Sequence, residues 1–193
     1  LDEAKIVQIM DGFILRRRPY LSGSMATVFD WIIQHLPRDP FIEVLLDILS
    51  ETQRYAPEIF YILGLIHDQS NAGLIVSVIE DPQWWNIQKV GHLTVELVME
   101  LTANLGGYEA LLSLLFRLIE GLSSEVSSVA QTAMASLERM APDGNVSQLI
   151  EDNVDYIADR LMARLRYIDV SPEIFTVFSA ILEIKGDVSN LLT

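Results

Sequence analysis

Cysteine is absent from the 193-residue chain, which excludes disulfide bonds and cysteine-ligated metal sites and permits an intracellular location. The expected location is the cytoplasm, the nucleus or both. Apolar runs of the ~18–20 residues that span a bilayer are also absent. Charges at Glu43 and Asp47 interrupt one apolar stretch, and Arg117 interrupts another. No secretory signal opens the sequence, so we expect no membrane contact.

Basic residues are scarce, because 13 lysines and arginines stand against 27 acidic residues and give a formal net charge of −14. A phosphate backbone requires a basic surface, so the composition argues against nucleic-acid binding as the main function. Two interpretations of the acidity stay open. The carboxylates either cover a solvated outer face or line an acidic groove for basic segments of a partner.

Strand patterns with period two are few, whereas apolar residues recur at spacings of three and four along the whole sequence. The sequence therefore predicts an all-α fold of about ten helices without a sheet. Its length fits about four to five helix pairs of roughly 40 residues. We predict an α-solenoid of HEAT-type antiparallel helix pairs, with a globular helical bundle as the competing fold.

No glycine- or serine-rich linker divides the chain. Residues 1–193 are therefore predicted to form a single continuous HEAT-repeat segment, a fragment of a longer solenoid. Both of its ends are expected to be apolar surfaces that a neighbouring repeat would cover.

Proline, glycine and serine residues predict several helix boundaries. Pro57 fits a first helical position, and a long helix is predicted over residues 90–104. Gly121 is expected to end the helix that follows. Residues 123–125 are expected to start a helix of small residues, which Pro142, Asp143 and Gly144 terminate.

Catalytic motifs are missing from the sequence. His35, His67 and His92 are not at the spacing of metal ligands, and Gly106-Gly107 lacks the third glycine of a phosphate-binding loop. No serine has the context of a nucleophile elbow. We therefore predict a protein that is not an enzyme and has no cofactor or metal. A helical-bundle enzyme with a substrate pocket is the alternative from another class.

Trp84 and Trp85 are adjacent, and side chains of adjacent helical residues point about 100° apart. We expect one tryptophan to pack in the core while the other covers an edge. The alternative is that one of them anchors a partner, because aromatic residues dominate interface hot spots.

Two clusters hold much of the basic charge. Three consecutive arginines, Arg16, Arg17 and Arg18, form either a solvated helix end or a patch for an acidic partner. In the second cluster a spacing of four places Arg160 and Arg164 on one helix face, and Arg166 follows. Its expected counter-charges are Asp159 and Glu151, in a structural role between successive repeats.

The most informative segment runs from Ser123 to Tyr167 and reads SSEVSSVAQTAMASLERMAPDGNVSQLIEDNVDYIADRLMARLRY. It predicts a helix of small residues, a short turn, one amphipathic helical turn and a further helix with an apolar side. The apolar side comprises Val154, Ile157, Leu161 and Leu165.

Within this segment, one string of residues resembles the family of Tel-two-interacting protein one, the large HEAT-repeat subunit of the TTT co-chaperone complex. The matching residues are Leu149, Ile150, Asn153, Asp155, Tyr156, Leu165 and Arg166. The turn departs from the family pattern, in which an aromatic residue often follows the glycine, because Asn145 follows Gly144 here. Residues 1–110 fit only as generic HEAT repeats.

The resemblance implies a protein-binding scaffold that supports the maturation and stability of phosphatidylinositol-kinase-related protein kinases together with Hsp-ninety-type chaperones. The implied partners are the other two TTT subunits and these kinases. Another HEAT or armadillo scaffold, such as a nuclear transport receptor or a phosphatase scaffold, is the alternative.

The chemistry of the matching residues favours folding roles for most of them. Asn153 is expected to cap the helix that follows it. Asp155 would lie in the first turn of that helix, where a negative charge is favourable. Tyr156 has an apolar ring with a polar tip and suits a seam between two helices.

Overall fold

Helices form throughout the part of the chain that the structure, a computed structural model, describes: residues 4–6, 35, 38–68, 70–105, 112–166 and 174–185. Within these ranges there is no strand, which confirms the predicted all-α fold and is compatible with a solenoid. The chain divides into two compact units, residues 1–101 and 102–193. That residues 1–193 form one continuous HEAT-repeat segment stays a prediction.

The first unit contains five described helices of four residues or more. They are α1 (Arg38–Glu51), α2 (Ala56–Ile66), α3 (Ala72–Ile79), α4 (Ile87–Val90) and α5 (His92–Asn104), whose last three residues belong to the second unit. One-turn 3-10 helices at Gln53–Tyr55 and Pro82–Trp85 connect them. α1 packs against α2. The fully buried side chains of Leu45, Ile59, Leu63 and Ile75 form part of the core.

Pro57 is the second residue of α2, so the expectation of a proline in its first turn is confirmed. The expectation of a long helix over about residues 90–104 is confirmed by α5, which begins at His92 because Gly91 separates it from α4. The φ of Gly91, 81°, lies in the left-handed region, where glycine has no Cβ to clash with the backbone. The apolar spacing continues across this break, and for that reason the pattern alone does not show it.

The second unit contains five further described helices. They are α6 (Leu112–Leu122), α7 (Ser127–Met140), α8 (Val146–Asp152), α9 (Val154–Leu165) and α10 (Ile174–Lys185). α6 and α7 pack along each other, and α10 packs against α6, α8 and α9. Leu118, Ile119, Ala133 and Leu137 are fully buried between these elements.

Three boundary predictions in this unit have different outcomes. The expectation of Gly121 at the end of α6 is confirmed, because this glycine lies in the last turn of the helix, which ends at Leu122. α7 begins at Ser127, two residues after the predicted start at residues 123–125. The termination of α7 at residues 142–144 is confirmed, since the helix ends at Met140 and a 3-10 turn follows.

Arg16, Arg17 and Arg18 lie outside the described residues, as does Gly106-Gly107. No described helix is long and apolar enough to cross a membrane.

Candidate protein-binding surface on the second unit

A tight turn after α7 sets the position of the motif helices α8 and α9. Asp143 and Gly144 have φ values of 53° and 73°, so two successive residues adopt the left-handed conformation that reverses the chain. Asn145 then caps α8, because its side-chain oxygen accepts a hydrogen bond from the backbone N–H of Gln148 at 3.2 Å.

Asn153 lies at the junction of α8 and α9, where it ends one helix and begins the next. Its side-chain nitrogen donates a hydrogen bond to the carbonyl oxygen of Leu149 at 2.8 Å. No side-chain capping bond to α9 is present. The predicted capping role of this side chain is therefore wrong. The amide satisfies a carbonyl at the end of α8, which would otherwise have no helical partner.

Asp155 is confirmed in the first turn of α9, where its charge is favourable toward the helix dipole. Tyr156 is half-buried, and its hydroxyl accepts a hydrogen bond from Nε of Arg160 at 3.1 Å. The guanidinium carbon of Arg160 is 5.2 Å from the centroid of the same ring. Tyr156 and Arg160 thus form a pair one turn apart on α9, and the location of Tyr156 at a seam between two helices stays a prediction.

Arg164 forms an ion pair with Glu120 on α6. Glu120 also pairs with Arg117, at 3.1 Å, and the guanidinium of Arg164 lies 5.5 Å from the ring centroid of Phe116. α9 is therefore held to α6 by charge and by a cation–π contact. The described counter-charge of Arg164 is Glu120, which was not among the two carboxylates that the sequence predicted. Arg166 is exposed.

The apolar side of α9 has a buried part and a solvent-exposed part. Ile157 and Leu161 are buried, as the helical spacing predicts. Val154 and Leu165 are each 38% exposed, and Met162 is 61% exposed. The sequence prediction placed Val154 and Leu165 on one apolar side with Ile157 and Leu161, and it did not include Met162, although a spacing of eight from Val154 places Met162 next to that side.

α10 has a similar division. Ile174, Val177 and Ile181 are buried, while Phe175 and Phe178 are 58% and 49% exposed. Large apolar side chains on the surface mark interaction sites when they are grouped. Sequence reasoning did not identify either phenylalanine, since the apolar residues of α10 surround most of the helix and show no preferred face.

The two tryptophans lie in the first unit. Trp84 is 3% exposed and meets the ring of Phe60 edge-on, with centroids 5.1 Å apart. Trp85 is half-buried, and its indole N–H donates to the carbonyl oxygen of Ile79 at 2.7 Å. The expectation of one core and one edge tryptophan agrees with this placement. A partner contact by either residue stays a prediction.

An open cavity of about 410 Å³ adjoins Trp84 in the first unit. Glu51 and Asp81 are among its lining residues, and no histidine is. Of the three histidines, His35 and His92 are exposed, and the Nδ1 of His67 lies 3.1 Å from the carbonyl oxygen of Gly64 at the end of α2. The described residues contain no group of three or more side chains arranged to hold a metal ion.

Asp68 organises the loop between α2 and α3. Its Oδ1 accepts hydrogen bonds from the hydroxyl and the backbone N–H of Ser70, at 2.5 and 2.9 Å, and from the side-chain nitrogen of Asn71 at 3.0 Å. Arg38, at the start of α1, lies 3.6 Å from the other oxygen. The Ser70 hydroxyl bond, followed by the backbone bonds and Arg38, lowers the pKa of this carboxyl below its ordinary value.

Comparison with known proteins gives one family match. Residues 115–192 match the family described as TTI1, TELO2-interacting protein 1. This range contains α7, α8, α9 and α10, and therefore the motif residues and the open apolar sides of α9 and α10. Searches among curated proteins and among solved structures found no match. The match over residues 115–192 thus confirms, for this part of the chain, the resemblance to the TELO2-interacting protein 1 family that the motif indicated.

Proposed function

We propose that the chain is a non-enzymatic scaffold that binds TELO2 and acts within the three-subunit TTT co-chaperone complex. The observation that carries this proposal is the family match over residues 115–192. The family description names an interaction with TELO2, and we extend that interaction to this chain.

The architecture of the second unit supports a binding role. The helices of this unit pack their buried sides into a core. On another side, α9 and α10 leave large apolar side chains exposed to solvent. A scaffold needs such surfaces because its binding free energy comes from apolar area that a partner covers.

Within this proposal, the complex supports the folding, assembly and stability of phosphatidylinositol-kinase-related protein kinases together with Hsp-ninety-type chaperones. The kinases and the third subunit are further partners, and the site of action is the cytoplasm, the nucleus or both. These finer assignments follow from the family resemblance.

The experiment is reconstitution from purified components. The full chain is mixed with recombinant TELO2 and passed over a size-exclusion column, and affinity purification of the tagged chain from cells is analysed by mass spectrometry. We expect co-elution with TELO2 and recovery of both other TTT subunits. Failure to bind TELO2, or recovery of transport cargo or phosphatase subunits in place of TTT subunits, would overturn the proposal.

A further inference from the structure

The open side of α9 forms a continuous strip of apolar residues, which we call the α9 strip: Val154, Ala158, Met162 and Leu165. At 100° per residue these four positions lie within an arc of roughly 80°. Three of them are large apolar side chains with 38–61% of their surface exposed. The strip adjoins the buried pair Ile157 and Leu161, so the apolar side of α9 is wider than the part its own unit covers.

The composition of the strip suits a helix as its occupant. Ala158 is small and lies between Val154 and Met162, one turn from each, so a second helix can approach closely there. Met162 is the most exposed large apolar residue of the described chain. A methionine side chain is flexible and polarisable, and it adapts to the side chains of a partner.

The charges next to the strip decide which helix fits. Asp155 and Asp159 lie one turn apart along one edge, and both are exposed; Arg166, also exposed, follows on this edge about two turns after Asp159. Among the contacts the structure describes, neither aspartate has an ion-pair partner. The arginines on the opposite edge have internal partners, since Arg160 bonds to Tyr156 and Arg164 pairs with Glu120.

A second copy of the chain is a poor occupant. It would bring two acidic edges together in a protein of net charge −14, and like charges placed across an interface oppose association. The exposed phenylalanines of α10 carry no comparable argument, because no described charge beside them indicates what covers them.

We propose that the α9 strip binds an amphipathic helix of a partner protein whose apolar side faces Met162 and whose basic residues, spaced by four, meet Asp155 and Asp159. This inference rests on the proposed function as a protein-binding scaffold and deepens it by naming one docking site and the chemistry of its occupant. Apolar contacts supply the affinity, and the acidic edge selects the partner and its orientation.

The test uses two synthetic helical peptides of about 18 residues with leucines at spacings of three and four. One carries lysines along one edge and the other carries glutamates at the same positions. Binding of each labelled peptide to the full 193-residue chain is measured by fluorescence anisotropy. We expect the lysine peptide to bind at least about tenfold more tightly than the glutamate peptide, since two ion pairs of ordinary strength give that ratio.

Charge reversal then locates the site. The double variant Asp155→Lys/Asp159→Lys is expected to invert the preference, so that the glutamate peptide binds more tightly than the lysine peptide. The matched control is Glu125→Lys/Glu138→Lys, which makes the same change in net charge at two exposed positions away from α9. The control variant should still bind the lysine peptide more tightly than the glutamate peptide. Its affinity should fall only slightly, because the smaller net negative charge weakens long-range attraction.

The absence of cysteine provides a second readout. A single cysteine introduced by Ala158→Cys lies in the strip, whereas Ala163→Cys lies on another face of the same helix, and both alanines are exposed. A lysine peptide whose central cysteine is activated as a mixed disulfide with a small aromatic thiol should exchange with the cysteine of the first variant at least about tenfold faster than with that of the second, releasing the aromatic thiol, because binding raises the local concentration of the activated disulfide.

Met162→Asp tests the apolar contribution, with Leu74→Asp, at an exposed leucine of the first unit, as its control. We expect the first change to weaken lysine-peptide binding about tenfold or more and the second to leave it unchanged.

Equal binding of both peptides, or equal disulfide rates at positions 158 and 163, would overturn the proposal. Self-association of the chain that is abolished by Met162→Asp would also overturn the proposal. If the full chain still co-elutes with TELO2 in any of these cases, the proposed function stands and only the strip assignment fails.

Discussion

Arg164 on α9 and Glu120 on α6 form an ion pair that joins two helices distant in the sequence. Both side chains are partly covered, with 34% and 17% of their surfaces exposed. The same arginine lies over the ring of Phe116. Because α9 carries the proposed docking strip, this contact positions the surface as well as stabilising the unit.

Replacing Arg164 by alanine should lower the free energy of unfolding of the second unit by about 1–2 kcal/mol. The loss combines a partly covered ion pair with a cation–π contact. Urea denaturation followed by circular dichroism measures it. Arg166→Ala is the control, since Arg166 is exposed, and should change stability by less than about 0.5 kcal/mol. Equal effects of the two changes would contradict the role given to Arg164.

Asn153→Asp should destabilise the second unit by about 1 kcal/mol, because aspartate has no N–H to donate to the carbonyl oxygen of Leu149. The same substitution at Asn145 should be neutral or slightly stabilising. There the side-chain oxygen accepts the bond from Gln148, and a negative charge favours the start of a helix. Thermal melts of the two variants compare them directly. A neutral Asn153→Asp would indicate that the side chain caps α9 after all.

Trp84→Ala should lower the free energy of unfolding of the first unit by about 3–5 kcal/mol, because it leaves a large cavity beside Phe60. Trp85→Phe keeps most of the ring and removes the indole donor to Ile79, which should cost about 1 kcal/mol. Far-UV circular dichroism in urea measures both without relying on tryptophan fluorescence. A smaller effect at position 84 than at position 85 would contradict the assignment of core and edge.

Asp68 should make the first unit more sensitive to acid. Its pKa is lowered in the folded state, so its contribution to stability is present above the ordinary aspartate value of about 4. That contribution is lost as the pH falls below this value. Urea midpoints between pH 7 and pH 3 should therefore fall less steeply for Asp68→Asn than for the unmodified chain. Ser70→Ala, which removes the strongest hydrogen-bond donor, should reduce the slope in the same direction, and an unchanged slope in both variants would count against this account.

Local chemistry in the sequence determined where several helices begin and end. Pro57 lies in the first turn of a helix because its missing N–H is not needed there, and the turn at residues 142–144 follows the end of another helix because proline and left-handed residues cannot continue it. The spacing of apolar residues likewise placed Ile157 and Leu161 in the core. The family string in this part of the chain was also recognisable, and the match over residues 115–192 confirms it.

Only the tertiary structure decided how polar and apolar groups are paired. Asn153 has both a donor and an acceptor, so the sequence does not say which one is used. Glu120 is far from Arg164 along the chain, so no local spacing indicates their contact. Met162 belongs to the same apolar side as Leu161, yet one is open and the other covered, because burial depends on which neighbouring helix lies against each turn. Periodicity determines which residues share a face, and the packing of distant elements determines how much of that face remains for a partner.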